Sequence, residues 1–250
     1  MTTNPLAALL LAAMPFTASA STLTLRVLGQ ESLPPKWILR EGQPSGVCPD
    51  ILAALEKAEP NLRFIGKADF RSILVIEHGL QAGTVDVACA LLDTGHRRAI
   101  ARPLGKPLYI VRQRLAAAAT DPAVVENLDD LVRLKPLVNT SRGAAYIGKL
   151  RSLGIAVDDS TGDNVVNLKK ILAGHGRFFY MNEETLSWLI RDNKLQDRIK
   201  LMPAVLREDP VYFWVGKKAP PGAAQMVEGA LAKLHASGEL ARIYERWTRP

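Results

Sequence analysis

The chain has little cysteine, little histidine and, beyond residue 20, no long apolar run. Two of its 250 residues are cysteine and four are histidine. Cys48 and Cys89 form no Cys-x-x-Cys pair, and His78, His96, His175 and His235 lack the spacing of metal ligands. That scarcity speaks against a metal site, and neither a metal nor a cofactor is expected. No later segment approaches the roughly 20 apolar residues that span a bilayer. A basic block is also missing. Lys and Arg outnumber Asp and Glu by 32 to 25, for a net charge of +7, but they are scattered along the chain. Nucleic acid is therefore not an expected partner.

The first 20 residues carry the one conspicuous apolar stretch, Leu6 to Phe16, followed by Ala18-Ser19-Ala20. A short apolar core before an A-x-A site reads as a secretory signal peptide over 1–20, although this one has no Lys or Arg ahead of the core. The expected location is the periplasm. In an oxidising compartment the two cysteines are candidates for a disulfide, with two free buried thiols as the alternative.

The stretch Gly83 to Arg98 is the most informative. A Gly-x-x-Asp turn ends at Asp86, and the apolar run Val87 to Leu92 suits a buried parallel strand. Asp93, Thr94 and Gly95 cap or turn the chain, and Arg97 and Arg98 follow. Ligands in α/β folds sit beyond the C-terminal ends of strands. An arginine there binds a carboxylate through two parallel hydrogen bonds. A solvated basic turn is the other reading of the pair.

Around it, Leu23 to Leu28 alternates like a strand, and Pro34-Pro35 stiffens the following loop ahead of Lys36 and Trp37. Pro49 and Asp50 are expected to start a helix running to about Ala58, Leu62 to Ile65 to form a strand, and Asp69 to cap the next helix, which Gly83 stops. Strand–helix–strand–helix–strand is an α/β lobe with a parallel sheet. Farther on, Gly143 is expected to open a helix through Leu150. Phe178 to Met181 and Val211 to Val215 read as strands, and two amphipathic helices close the chain.

Gly83-x-x-Asp86, the apolar strand, Thr94-x-x-Arg97 and Pro107-Leu108-Tyr109 together resemble the family 3 extracellular solute-binding proteins, the amino-acid-binding group of the periplasmic binding proteins. Pro34-Pro35, Gly46-x-x-x-Asp50, Thr140-Ser-Arg-Gly143 and the terminal Glu239 to Trp247 extend the likeness over essentially the whole chain beyond residue 20. The resemblance implies an α/β fold of two lobes, type II, joined by two crossing strands. Lobe 1 is expected over 21–112 plus 212–250, and lobe 2 over 113–211. A ligand is clamped in the cleft between them by hinge closure.

The ligand-binding candidates are Trp37, which reads equally as a ligand-stacking or a core aromatic, with Phe70, Leu92 and Thr94 in lobe 1, and Arg142, Gly143, Asn182 and Glu183 in lobe 2. The carboxylate-binding arginine is Arg97 counted from Thr94, and Arg98 counted back from Pro107. Asn182 stands where the family has a carboxylate for the ligand's ammonium group, and Glu183 is its acidic neighbour. Lys36 stands where an aromatic is usual.

The expected function is binding of a small carboxylate-bearing solute, by a monomer, for delivery to an ABC-type permease. Two other readings stay open. One is an enzyme on the same fold, similar to cyclohexadienyl dehydratase, with Glu31, His96 or Glu183 as acid or base. The other is a solitary accessory or sensor protein. No catalytic residue is assigned.

Overall fold

The computed structural model describes residues 21–249, so the expected signal peptide lies outside the described residues. The N-terminal half starts with β1 (Leu23–Arg26), β2 (Gly29–Gln30), β3 (Ile38–Arg40), β4 (Gln43–Ser45), α1 (Val47–Ala58), β5 (Leu62–Ile65) and β6 (Phe70–Arg71). Then come α2 (Ile73–Ala82), β7 (Val87–Leu92), α3 (Gly95–Ile100) and the long β8 (Ala101–Ala118). The second lobe contains α4 (Leu128–Leu134), β9 (Leu137–Asn139), α5 (Ile147–Ser152), β10 (Ala156–Asp158), α6 (Asn164–Leu172), β11 (Phe178–Asn182), α7 (Glu183–Asp192) and β12 (Ile199–Leu201). The chain returns along β13 (Arg207–Gly216) and ends in α8 (Ala223–Ala236) and α9 (Glu239–Thr248).

β8 and β13 make the architecture. They run antiparallel from Gln113–Arg207 to Ala101–Gly216 and carry one sheet through both lobes, in the order β10-β9-β11-β8-β13-β7, with β12 also on β8. In lobe 1, β1 pairs in parallel with β5, and the bridge from Val27 to Val87 joins β1 to β7. Asp86 fixes that junction. It is buried and accepts from the Arg26 backbone at 2.7 Å and from Arg26 Nε at 2.9 Å. The arginine holds the Asp86 carboxyl below its ordinary range, against the opposing effect of burial. So the aspartate of the Gly-x-x-Asp turn is a strand tie.

One face of the lobe 1 sheet packs on α1, α8 and α9, through residues such as Leu25, Ile51, Phe213, Val227 and Ile243. The other face packs on α2 and α3 through Ile76, Leu80, Ile100 and Trp214. Lobe 2 repeats the arrangement, with separate clusters around Phe178 and Tyr180 and around Phe179, Leu168 and Leu186. Burying each face of a sheet under helices is the layered solution expected of alternating strands and helices.

Cys48 and Cys89 form a disulfide with a Cα–Cα distance of 5.9 Å, across 41 residues. Cys48 lies in the first turn of α1, which begins two residues ahead of Pro49. The bridge ties that helix to the middle of β7.

Two further helix starts differ from expectation. Ser72 holds the N-cap position of α2 without a side-chain cap bond, and Asp69 precedes β6, which pairs with β2. That short pairing uses Phe70 and Arg71 in extended form and delays the helix. Gly143 does not open α5; its φ is +75°, outside right-handed helix, and the first helical residue is Ile147.

Candidate ligand-binding site

Between the lobes lies a cleft of about 780 Å³, counting the part open to solvent. Lobe 1 contributes Lys36, Ile73, Ala90, Leu92 and Arg97, the crossing strands contribute Tyr109, Gln113 and Val211, and lobe 2 contributes Ser141 to Tyr146, Asn182, Glu184 and Thr185.

Arg97 sits in the first turn of α3, whose N-cap is Thr94; the Thr94 hydroxyl accepts from the Arg97 backbone N–H at 3.2 Å. That cap fixes the helix so that residue 97 turns inward and residue 98 outward. The Arg97 side chain is buried, donates from Nε to Glu77 Oε1 at 2.8 Å, and donates from Nη1 to the Leu92 carbonyl at 2.8 Å. Arg98 is exposed and ion-paired with Asp93, its Nε 2.7 Å from Oδ1. The two arginines therefore occupy different environments, and only Arg97 reaches the cleft.

Lys36 also lines the cleft. Its Nζ donates to Gln30 Oε1 at 2.7 Å and to the Ala90 carbonyl at 3.0 Å. Burial, with the nearby Arg97 guanidinium, pushes its pKa down to about 7.

Of the other sequence candidates, Leu92, Arg142, Gly143 and Asn182 line the cleft. Arg142 is at the exposed rim, its guanidinium donating to the Ser160 carbonyl. Asn182 caps α7, its Oδ1 accepting from the Thr185 backbone at 2.9 Å. Four lie elsewhere. Trp37 is 3% exposed, in the lobe 1 core, edge-on to Phe70 with ring centroids 5.9 Å apart. Phe70 lies over Gly29, where an added Cβ would come 2.5 Å from its ring. Both rings are consumed by packing in the lobe 1 core. Thr94 is used as a cap. Glu183 points to the crossing strand, with Arg112 Nε at 2.7 Å and Arg114 Nη1 at 2.6 Å.

Glu184, one residue on, was not singled out by the sequence, because one helical step moves a side chain by about 100°. It lines the cleft and accepts a hydrogen bond from the Tyr244 hydroxyl of α9. Tyr109 stacks on Tyr244 at 4.3 Å. Burial raises the pKa of Glu184, a shift that the Tyr244 bond partly offsets. Lys36 was noticed in the sequence only as a departure from an aromatic, and its role depends on Ala90, a contact 54 residues away that spacing does not reveal.

The lobes touch across the mouth. Ser32 of lobe 1 accepts from Asn164 of α6 twice: Oγ from the backbone N–H at 2.8 Å and the carbonyl from Nδ2 at 2.6 Å. Gly143 packs against Ile73 and Leu74 so tightly that a Cβ there would lie 2.9 Å from each.

The family model for bacterial extracellular solute-binding proteins, family 3, matches residues 25–250. The chain belongs to that family. Solved structures agree in fold at low identity. This solute-binding protein superposes on a histidine kinase sensor domain similar to periplasmic binding proteins with a TM-score of 0.78 at 19% identity, covering 91% of this chain and 97% of that one. An ancestral arginine-binding protein bound to glutamine gives 0.73 at 18%, covering 90% and 97%. An ancestral amino-acid-binding protein, a precursor of cyclohexadienyl dehydratase, gives 0.72 at 16%, covering 90% and 96%. No curated protein matches the chain. Among the described residues no helix is long and apolar enough to cross a membrane, and no cluster of three or more His, Cys, Asp or Glu is placed to hold a metal.

Proposed function

We propose that this solute-binding protein captures a small carboxylate-bearing solute in the interlobe cleft, with Arg97 as the anchor for the carboxylate. The observation that carries the reading is the setting of Arg97. It is a buried guanidinium on the cleft wall, oriented by Glu77 and by the Leu92 carbonyl. Its Nη2 makes no protein hydrogen bond among the described residues. A guanidinium held in this way loses little side-chain entropy on meeting a carboxylate. The apolar lining, including Ile73, Val111, Met181 and Val211, gives the rest of the solute a nonpolar surface. The solute-binding family and amino-acid-binding neighbours support the same class of ligand.

On this reading Asn164 meets Ser32, and Gly143 meets Ile73 and Leu74, when the hinge closes, the protein works in the periplasm, and an ABC-type permease receives the solute from a monomer. Of the acid–base candidates for an enzyme, Glu31 is exposed, His96 is exposed at 3.6 Å from Glu77 Oε2, and Glu183 is held by two arginines. None of the three lines the cleft. Thermal denaturation against a panel of amino and organic acids tests the proposal. A carboxylate that raises the melting temperature of the parent but not of Arg97→Ala supports it. A panel in which no carboxylate has any effect refutes it.

A further inference from the structure

We propose that Lys36 is a second cationic contact for the ligand, and that it makes the cleft select solutes of net negative charge over their neutral zwitterionic isosteres. This rests on the reading of the cleft as a carboxylate site and narrows it.

The first observation is how Lys36 is held. An ammonium has three N–H donors. Two are spent, on Gln30 Oε1 at 2.7 Å and on the Ala90 carbonyl at 3.0 Å, and the side chain lines the cleft. The third remains for a ligand.

The second observation is the backbone that holds it. Ala90 has φ of +57°, a left-handed conformation in the middle of β7. For a residue with a Cβ this conformation is disfavoured, because the Cβ crowds the following carbonyl oxygen. The pairing of β7 with β13 slips at the same place, between Leu91–Tyr212 and Ala88–Trp214. The Ala90 carbonyl, in this irregular stretch, accepts from Lys36. Strain of this kind persists where the surroundings enforce it, and it gathers at ligand sites.

The third observation is charge. Arg97 is matched by Glu77 at 2.8 Å. Both hydrogen-bond partners of Lys36 are neutral, and the charged group acting on it is Arg97, of the same sign. Arg142 at the rim adds no negative charge, and Glu184, across the cleft on lobe 2, is pushed by burial toward its neutral acid form. The lobe 1 wall thus presents one uncompensated cation. A zwitterion brings equal and opposite charges and leaves that cation unmatched. A net anion, such as an acidic amino acid or an organic acid without an amino group, matches it. Because burial and Arg97 hold the ammonium near pH 7, an arriving anion should draw a proton onto Lys36.

Calorimetry at pH 7, in two buffers of different ionisation enthalpy, tests the inference on the purified parent, Lys36→Met and Lys36→Arg. The probes are three isosteric pairs: glutamate and glutamine, aspartate and asparagine, 4-methyl-2-oxopentanoate and leucine. In the pair that binds, the net anion should bind at least about tenfold tighter in the parent, with uptake of a fraction of a proton. Lys36→Met should lose both the preference and the uptake. Lys36→Arg should keep the preference without the uptake, and a native circular dichroism spectrum shows that either variant is folded. A zwitterion that binds as tightly as its anionic partner overturns the inference, as does a preference unchanged in Lys36→Met. Either result leaves the carboxylate reading standing if Arg97→Ala still abolishes binding. Failure of every probe to bind counts against both.

Discussion

Glu77 holds Arg97 by Nε, 2.8 Å away, on the buried side of the cleft wall, while the neighbouring Arg98 is paired to Asp93 at the surface. The pair from α2 and α3 makes Arg97 a fixed fork. Replacing Arg97 by Ala should therefore weaken binding of a carboxylate ligand by about 2–5 kcal/mol, since a desolvated charge loses its bidentate partner. Arg97→Lys should recover only part, because an ammonium cannot reproduce the planar fork. Arg98→Ala should leave affinity unchanged within error. Titration calorimetry on the three variants decides the matter; equal losses for Arg97→Ala and Arg98→Ala would show that the anchor lies elsewhere.

The Cys48–Cys89 disulfide closes a loop of 41 residues. In the chain-entropy model such a closure contributes about 4 kcal/mol. A Cys48→Ala/Cys89→Ala double variant should unfold at correspondingly lower urea concentration with binding stoichiometry retained. An unchanged midpoint would mean that the reduced chain is already confined in its unfolded state.

Glu184 gives an acid-side signature. Burial raises its pKa above the ordinary 4.5, so the folded state favours the neutral acid. An acid with a raised folded pKa stabilises fully below its ordinary value and loses that contribution as pH rises through the raised one. The stability difference between parent and Glu184→Gln should therefore shift against the parent as pH climbs from 4.5. Melting temperatures of both proteins across that range measure it, and parallel curves would show that Glu184 ionises in the folded state as it does in water.

Lobe closure can be probed at Gly143, which touches Ile73 and Leu74 across the cleft. Gly143→Ala places a Cβ 2.9 Å from both and adds a strained φ. It should weaken ligand binding by more than tenfold and reduce the ligand-induced decrease in radius of gyration measured by small-angle scattering. Asn164→Ala, which removes the Nδ2 bond to the Ser32 carbonyl and keeps the backbone bond to Ser32 Oγ, should cost about 0.5–1.5 kcal/mol of affinity, felt mainly in dissociation. Unchanged affinity in both would place the closed contact outside the binding cycle.

Much of the frame was legible because it depends on local patterns. Val87 to Leu92 is uniformly apolar and is a buried strand, although its ladder with β13 is antiparallel and only the bridge to Val27 is parallel as expected; Gly83 stops α2 with φ of +83°. The family order of motifs supplied the crossing strands and the two-lobe fold. The site was less legible. Arg97 and Arg98 differ by one helical step, and only the Thr94 cap decides which one turns inward. Trp37 has the composition of a ligand-stacking residue and lies in the core, because Phe70 is brought beneath it by the pairing of β2 with β6. Glu184 and Lys36 depend on Tyr244 and Ala90, partners 60 and 54 residues away, and no periodicity reports such contacts.

The long pairing of β8 with β13 also sets an order of assembly. Lobe 2 is continuous along the chain between these strands and contains its own helices and apolar clusters. Lobe 1 is not continuous: β7 acquires β13 as its neighbour only after more than a hundred intervening residues, and α1 packs on α8 and α9 from the far end. Long-range pairing of this kind is slow because loop closure precedes the reward. During synthesis, the segment that emerges in the middle has the shorter route to a native core. β1 can pair with β5 as soon as both are made, but β7 waits for β13, and α1 for α8 and α9, until the end of the chain.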